Sequence, residues 1–220
     1  LQQLVGRIRG RGSEVSGELM VTSIIELSDF LVPVLTRFAL DYPDVTVRFL
    51  TDARVFRLEY GEAHVAIRAG TAPNEPDNVV QPLMKMRVGL YASRSYIAVH
   101  GLPKDESDFE NHLFVGNDNP DGRAPFQQWL RAHVPYEQVV FRTTDSTSKT
   151  KAVREGAGIG FVSKTLAESD PELVEVMPAK DEWAAQLWLV THVDLHRTAK
   201  VQALLSALKT AIKTEEEAGA

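Results

Sequence analysis

The sequence predicts an α/β protein. Three observations carry that reading. Strand-like and helix-like periodicities alternate along almost the whole chain, small polar residues gather where the strand-like segments end, and the composition is that of a packed globular protein. Of 220 residues, 44% are apolar and 25% charged, which sets the chain apart from disordered and fibrous proteins. The length allows one large or two small domains with a full hydrophobic core. A formal charge of −6 gives no overall reason to expect a nucleic-acid or acidic-membrane surface. The absence of cysteine excludes a disulfide framework, thiol catalysis and zinc sites built on Cys.

The elements follow in order. Residues 1–16 interleave Arg7, Arg9 and Arg11 with Gly6, Gly10 and Gly12. Glycine disfavours helix by about 1 kcal/mol relative to alanine, so 1–16 reads as the tail of an upstream element plus a linker. With Leu1 in place of Met and no apolar signal core, the chain reads as a piece of a longer cytosolic protein. Glu18–Thr22 is a strand. From Asp29 to Tyr42, Phe30/Leu31, Val34/Leu35 and Phe38/Ala39 recur at helical steps, with Ser28 or Asp29 as the expected cap. Pro43 stops this helix, because the residue before proline is pushed out of the α region. Val45, Val47 and Phe49 alternate as a strand, a short helix spans about 53–60, and His64–Arg68 is a third strand. This order predicts a parallel sheet with right-handed crossovers.

The second half repeats the grammar. Leu83–Ser93 reads as one long strand, Ser95–His100 as a short helix and Leu113–Val115 as a strand. Pro125–His133 is a helix, Gln138–Thr143 a strand, Ser146–Glu155 a helix and Gly158–Val162 a buried strand. Leu173–Met177 and Gln186–Val193 are further strands. The last helix places Val201, Leu204, Leu205, Leu208 and Ile212 on one face. The longest charge-free run, Trp183–Val193, has 11 residues, against roughly 18 for a membrane span. No membrane partner is expected.

Motifs for catalysis are absent: there is no Gly-x-Ser-x-Gly elbow, phosphate loop or His-Glu-x-x-His. Gly156-Ala157-Gly158-Ile159-Gly160 resembles a dinucleotide loop, but it leaves a helix and enters a strand, the reverse of the order that aims N–H groups at a pyrophosphate. A helix C-cap at Gly156 and close packing at Gly158 and Gly160 is the plainer reading. His192, Asp194 and His196 would share one strand face and offer metal ligands if the strand ran on. Asp194 is equally suited to capping the final helix. No enzyme, metal or cofactor is expected.

The polar residues at strand ends are more informative. Thr22 and Ser23 follow the first strand, Thr51 and Asp52 the second, Arg68 the third, and Thr144, Asp145 and Ser146 a strand of the second half. Ligands of open α/β sheets bind outside the carboxyl ends of strands, where helix N–H groups and a guanidinium favour a carboxylate. Capping alone explains the same residue types equally well.

Several runs together resemble one known family. They are Gly17–Thr22, Leu31–Phe38, Tyr42–Val45, Gly61–Gly70, Ser93–Ile97, Glu155–Ser163 and the closing amphipathic helix. Over roughly 17–212, this ordered set resembles the effector-binding domain of LysR-type transcriptional regulators, with one departure: His64 stands where the family usually has Asp. The resemblance implies two Rossmann-like subdomains joined by two crossover strands, as in type 2 periplasmic binding proteins. The crossovers fall near Lys85–Tyr91 and Leu187–Thr191. Subdomain I then comprises 17–86 and 192–220, and subdomain II comprises 87–191. A small-molecule effector is implied in the cleft, against Thr22, Ser23, Thr51, Arg68, Thr144, Asp145, Ser146 and Phe161. The resemblance further implies a homodimer, a tetramer in full-length form, DNA contact only through an N-terminal domain outside this chain, and a cytoplasmic location. A solute-binding protein serving transport is the alternative on the same fold.

Overall fold

Strand and helix periodicity sort the chain into two sheets, each flanked by helices. The computed structural model describes residues 15–51, 58, 63–119 and 121–218. In the first half β1 (Gly17–Ser23), α1 (Ser28–Asp41), β2 (Val45–Thr51) and β3 (Val65–Ala69) follow one another. The linker reading of 1–16 falls almost wholly outside the described residues, as do Asp52 and nearly all of the expected helix at 53–60. The chain continues as β4 (Asn78–Met86), β5 (Val88–Ser93), α2 (Arg94–His100), β6 (Phe114–Asn117), α3 (Pro125–His133), β7 (Val139–Thr143), α4 (Ser146–Arg154) and β8 (Ile159–Ser163). It closes with α5 (Lys164–Ser169), β9 (Leu173–Met177), β10 (Ala185–His192), α6 (Val193–His196) and α7 (Ala199–Ala218).

The sheets are only partly parallel. The first has the order β2-β1-β3-β10-β4, with β1 parallel to β2 and β3 but β10 antiparallel to β3. The second has the order β7-β6-β8-β5-β9, with β6 parallel to β7 and β8, and β5 antiparallel to β8 and β9. The expected long strand Leu83–Ser93 is two strands interrupted at Arg87. Periodicity could not separate them, because every residue of β5 is buried and alternation vanishes in a central strand. The described residues up to Met84 group with those from Gln186 onward, and Lys85–Ala185 forms a second unit. The return therefore comes at 185/186, ahead of Leu187–Thr191, and Leu187–Val190 pair with β3 in the first sheet.

In the first unit α7 packs on α1. The apolar stripe of α7, Val201, Leu204, Leu205, Leu208 and Ile212, is buried, as are Leu31, Leu35 and Phe38 of α1. The core of the second unit is more aromatic: Tyr96, Phe109, Phe114 and Trp183 are buried, with Phe126, Trp129 and Phe161 packed against them.

Caps correct two expectations. Neither Ser28 nor Asp29 caps α1: a 3-10 turn, Ile25–Leu27, leads into the helix, and the N-cap residue Leu27 makes no side-chain bond. Asp194 does not cap the final helix either. It lies inside α6, whose N-cap is His192, with Nδ1 accepting from the Asp194 N–H. At the end of α4, Gly156 takes φ of 87°. Its N–H donates to Val153 O and the Ala157 N–H to Ala152 O, a Schellman ending that glycine accommodates without steric cost. A Cβ on Gly158 would lie 2.6 Å from the Leu113 carbonyl oxygen, and one on Gly160 2.6 Å from Val153 Cγ2. The glycine run is thus a packing device: Gly160 lets β8 approach α4, and Gly158 lets the chain pass beside Leu113.

Candidate effector site

The parallel register of the first sheet gathers the predicted residues of that unit at one end. Ser23 stands level with Thr51, and Thr22 level with Leu50 on one side and Ala66 on the other. Arg68 follows Ala66 by two positions on β3 and lies opposite Trp188 of β10. Thr22 and Ser23 are buried, while Thr51 is exposed.

Ser23 Oγ is buried and has no hydrogen-bond partner among the described residues. Leaving a hydroxyl unpaired away from water costs about 1–3 kcal/mol, so this atom requires an explanation. Capping does not supply it, because the N-cap residues after β1 are Ile24 and Leu27, and neither turn nor helix receives a side-chain bond. Arg68 Nη1 donates to Glu75 Oε1 at 3.1 Å, with the arginine side chain 18% exposed and the glutamate 48%. Glu75 is held below the ordinary carboxylate range, first by a backbone N–H and then by the Arg68 charge and the Asn78 amide. Trp188 Nε1–H donates to Gly70 O at 2.7 Å, tying β10 to the end of β3. At this end of the sheet Arg68 is thus paired with Glu75.

His64 performs a local structural task. The Met20 N–H donates to its Nδ1 at 2.8 Å, and its own N–H donates to Met20 O at 2.9 Å. Burial, followed by the Lys200 charge, holds its pKa below the ordinary imidazole value. His64 Nδ1 thus serves as the acceptor for the Met20 N–H.

In the second unit Thr144, Asp145 and Ser146 follow β7 directly, and Phe161 lies on β8. Thr144 and Asp145 are exposed beyond β7. Asp145 Oδ1 accepts from the Ser148 N–H at 2.6 Å as the N-cap of α4. Those Ser148 hydrogen bonds hold its carboxyl below the usual range. Ser146 is the first residue of α4, and the cap is Asp145 rather than Ser146. Phe161 instead packs into the aromatic core, with ring centroids 4.9 Å from Trp183, 5.4 Å from Phe126 and 5.9 Å from Trp129. Sequence reasoning missed Glu75, Trp188 and Asn117. Asn117 ends β6 level with Thr143, and its Oδ1 accepts from the Asn119 N–H at 2.8 Å. The Asn117-Asp118-Asn119 run after a strand was the available signal. Glu75 sits in a Pro-flanked loop that gave none.

The metal alternative depended on a strand running through His196. The strand ends at His192, and among the described residues no cluster of three His, Cys, Asp or Glu side chains could hold an ion. Among the same residues no helix is long and apolar enough to cross a membrane.

Residues 12–213 match the sequence profile of the LysR substrate binding domain. The chain belongs to that family. This LysR substrate binding domain is 22% identical to the probable HTH-type transcriptional regulator LtrA of Klebsiella pneumoniae, over 96% of this chain and 71% of that protein. It is 26% identical to the HTH-type transcriptional activator IlvY of Salmonella typhimurium, over 79% of this chain and 61% of that one. The chain thus spans about 60–70% of these relatives, which are transcriptional regulators. Among solved structures, the regulatory domain of CrgA, a LysR-type regulator from Neisseria meningitidis, superposes with a TM-score of 0.74 at 20% identity, covering 89% of this chain and 98% of that one. The effector domain of AmpR from Pseudomonas aeruginosa gives 0.69 at 16%, covering 92% and 98%. The fold is that of these regulatory domains, the type 2 periplasmic-binding-protein-like α/β fold, and the chain is an effector-binding region.

Proposed function

We propose that this domain senses a small anionic metabolite on behalf of a DNA-binding transcriptional regulator, and that Ser23 is the central contact. The supporting observation is the buried Ser23 Oγ, without a partner among the described residues, at the carboxyl end of a parallel strand level with Thr51, on the sheet whose β3 carries Arg68. A ligand carboxylate accepting from Ser23 would relieve the desolvation cost of that hydroxyl, with Thr22, Thr51 and Arg68 as further contacts. Thr144, Asp145, Ser146 and Phe161 carry the weaker expectation taken from family resemblance. The working protein is then a cytoplasmic homodimer or tetramer that meets DNA through an N-terminal domain outside this chain. The effector controls transcription through its differential affinity for two arrangements of that assembly, typically a coupling of about 1–3 kcal/mol.

The test is a thermal-shift screen of the chain against small organic acids, amino acids and aromatic acids. A ligand at about 100 times its dissociation constant stabilises the fold by about 2.7 kcal/mol. A carboxylate hit lost in Ser23→Ala and weakened in Arg68→Ala supports the reading. A hit indifferent to both substitutions overturns this placement of the site.

A further inference from the structure

The second unit contains a cavity of about 380 Å³ apart from the strand ends of the first. Leu130 and Val134 at the end of α3 and Val139 of β7 form its apolar wall, and Asn117, Arg131 and Arg142 bring polar groups. The volume lies within the range of small-molecule pockets, about 300–1,000 Å³.

Its two arginines are positioned without being neutralised. Arg131 Nη2 donates to Gly122 O, and Arg142 Nη2 to Tyr136 O, each at 2.6 Å. The Arg142 guanidinium carbon also lies 3.5 Å from the centre of the Tyr136 ring. Main-chain carbonyls and a ring face thus orient both forks, and neither arginine meets a carboxylate among the described residues. Arg142 Nε–H is buried with no acceptor among the described residues. Asp118 is the one acid in the wall, which leaves a single net positive charge.

A guanidinium fork held in place by backbone carbonyls matches a planar carboxylate, which can take two N–H groups at once. The single net charge matches a monoanion. The Leu130–Val134–Val139 wall rewards an apolar body and offers nothing to inorganic phosphate. We propose that the second unit carries its own binding site for a compact monocarboxylate with an apolar body, anchored by Arg142 and Arg131 over the α3–β7 wall. This site does not depend on the effector reading built on Ser23.

Phenylacetate is the probe, with phenylacetamide as its uncharged counterpart, in an NMR titration of the isotopically labelled chain. Saturable shifts are expected at the amides of Gly116, Asn119, Gly122 and Val134, together with a change in Trp129 fluorescence. Arg142→Gln should raise the dissociation constant about tenfold, the worth of one charge-assisted contact, and Ser23→Ala should leave it unchanged. The absence of saturable shifts at those amides overturns the proposal, as does equal binding of phenylacetamide. If Arg142→Gln fails to fold, the acid–amide comparison on the unaltered chain still decides. Shifts confined to β1 and abolished by Ser23→Ala would assign the acid to the first unit, refuting this site while supporting the effector reading.

Discussion

The two units share one strand grammar and differ in what they do with it. In each sheet three parallel strands, β2-β1-β3 and β7-β6-β8, are followed by an antiparallel strand and a fifth beside it. The first unit covers its sheet with a long amphipathic helix whose aliphatic stripe is buried, and it ends β1 in a buried hydroxyl with no partner. The second unit packs tryptophan and phenylalanine rings into its core, satisfies the turn after β7 with the Asp145 cap, and opens a cavity beside α3. The same backbone order therefore leaves its unmet polar groups in different places: at a strand end in the first unit, and in the second on Gln138, Arg142 and Trp183, of which Arg142 lines the cavity.

The strongest way to break this comparison is to empty each core. Trp183→Ala should lower the unfolding free energy by about 3–5 kcal/mol, and Leu208→Ala on the fully buried stripe of α7 by about 2–5 kcal/mol. Urea unfolding checks both. Trp129 reports the second unit in the Trp183→Ala protein, and Trp188 reports the first unit in the Leu208→Ala protein. A cost below about 1 kcal/mol for Trp183→Ala would show that the aromatic cluster is not the core of its unit.

Gly158→Ala should cost about 1–3 kcal/mol, because the new Cβ meets rigid backbone at Leu113 and not a yielding side chain. Chemical denaturation measures it, and a neutral result would contradict the close passage of the chain at that point. Ser23→Ala should have the opposite sign. Without ligand, removing an unpaired buried hydroxyl is expected to stabilise the chain by up to about 1 kcal/mol, seen as a raised Tm. A clear loss of stability would mean that the hydroxyl already has a partner.

The smallest effect is a pH dependence shared by the units. His64 in the first and His112 in the second both have their pKa lowered by burial. In the second unit the Tyr96 hydroxyl lies 3.2 Å from His112 Nδ1 and accepts from the Leu113 N–H. Because the folded values lie below the unfolded value of about 6.5, the unfolded chain takes up protons first as pH falls. The contribution to stability is full above that pH and is lost as pH drops through the folded values. Urea midpoints measured from pH 7.5 downward should fall, and His64→Asn, which keeps an acceptor for Met20 without a titrating ring, should flatten part of the slope. An unchanged slope in that variant would remove His64 from the account.

Particular residues show how much of the fold and the site the chain disclosed. The stripe from Val201 to Ile212, the bounds of α3 and β9, and the helix stop at Gly156 were legible, because each depends on spacing or on one residue's backbone preference. The run Gly17–Thr22 and its companion motifs were specific enough to indicate the family. The site was only half legible. Thr22, Ser23, Thr51 and Arg68 were correctly read as strand-end residues, but nothing local to Glu75 or Trp188 revealed that they would surround Arg68.

The sequence by itself determined the alternation of strand and helix, the absence of thiol chemistry, and the class of residue at each strand end. These depend on interactions between near neighbours and on composition. Only the tertiary structure decided that Leu83–Ser93 divides at Arg87, that Leu187–Val190 returns to the first sheet, and that Phe161 packs with Trp183. It also decided that Ser23 is left without a partner while Asp145 finds one. A central strand buried on both faces has no alternation to betray its ends. Whether a polar side chain is satisfied depends on groups far away in the chain, which burial and register bring within reach or leave beyond it.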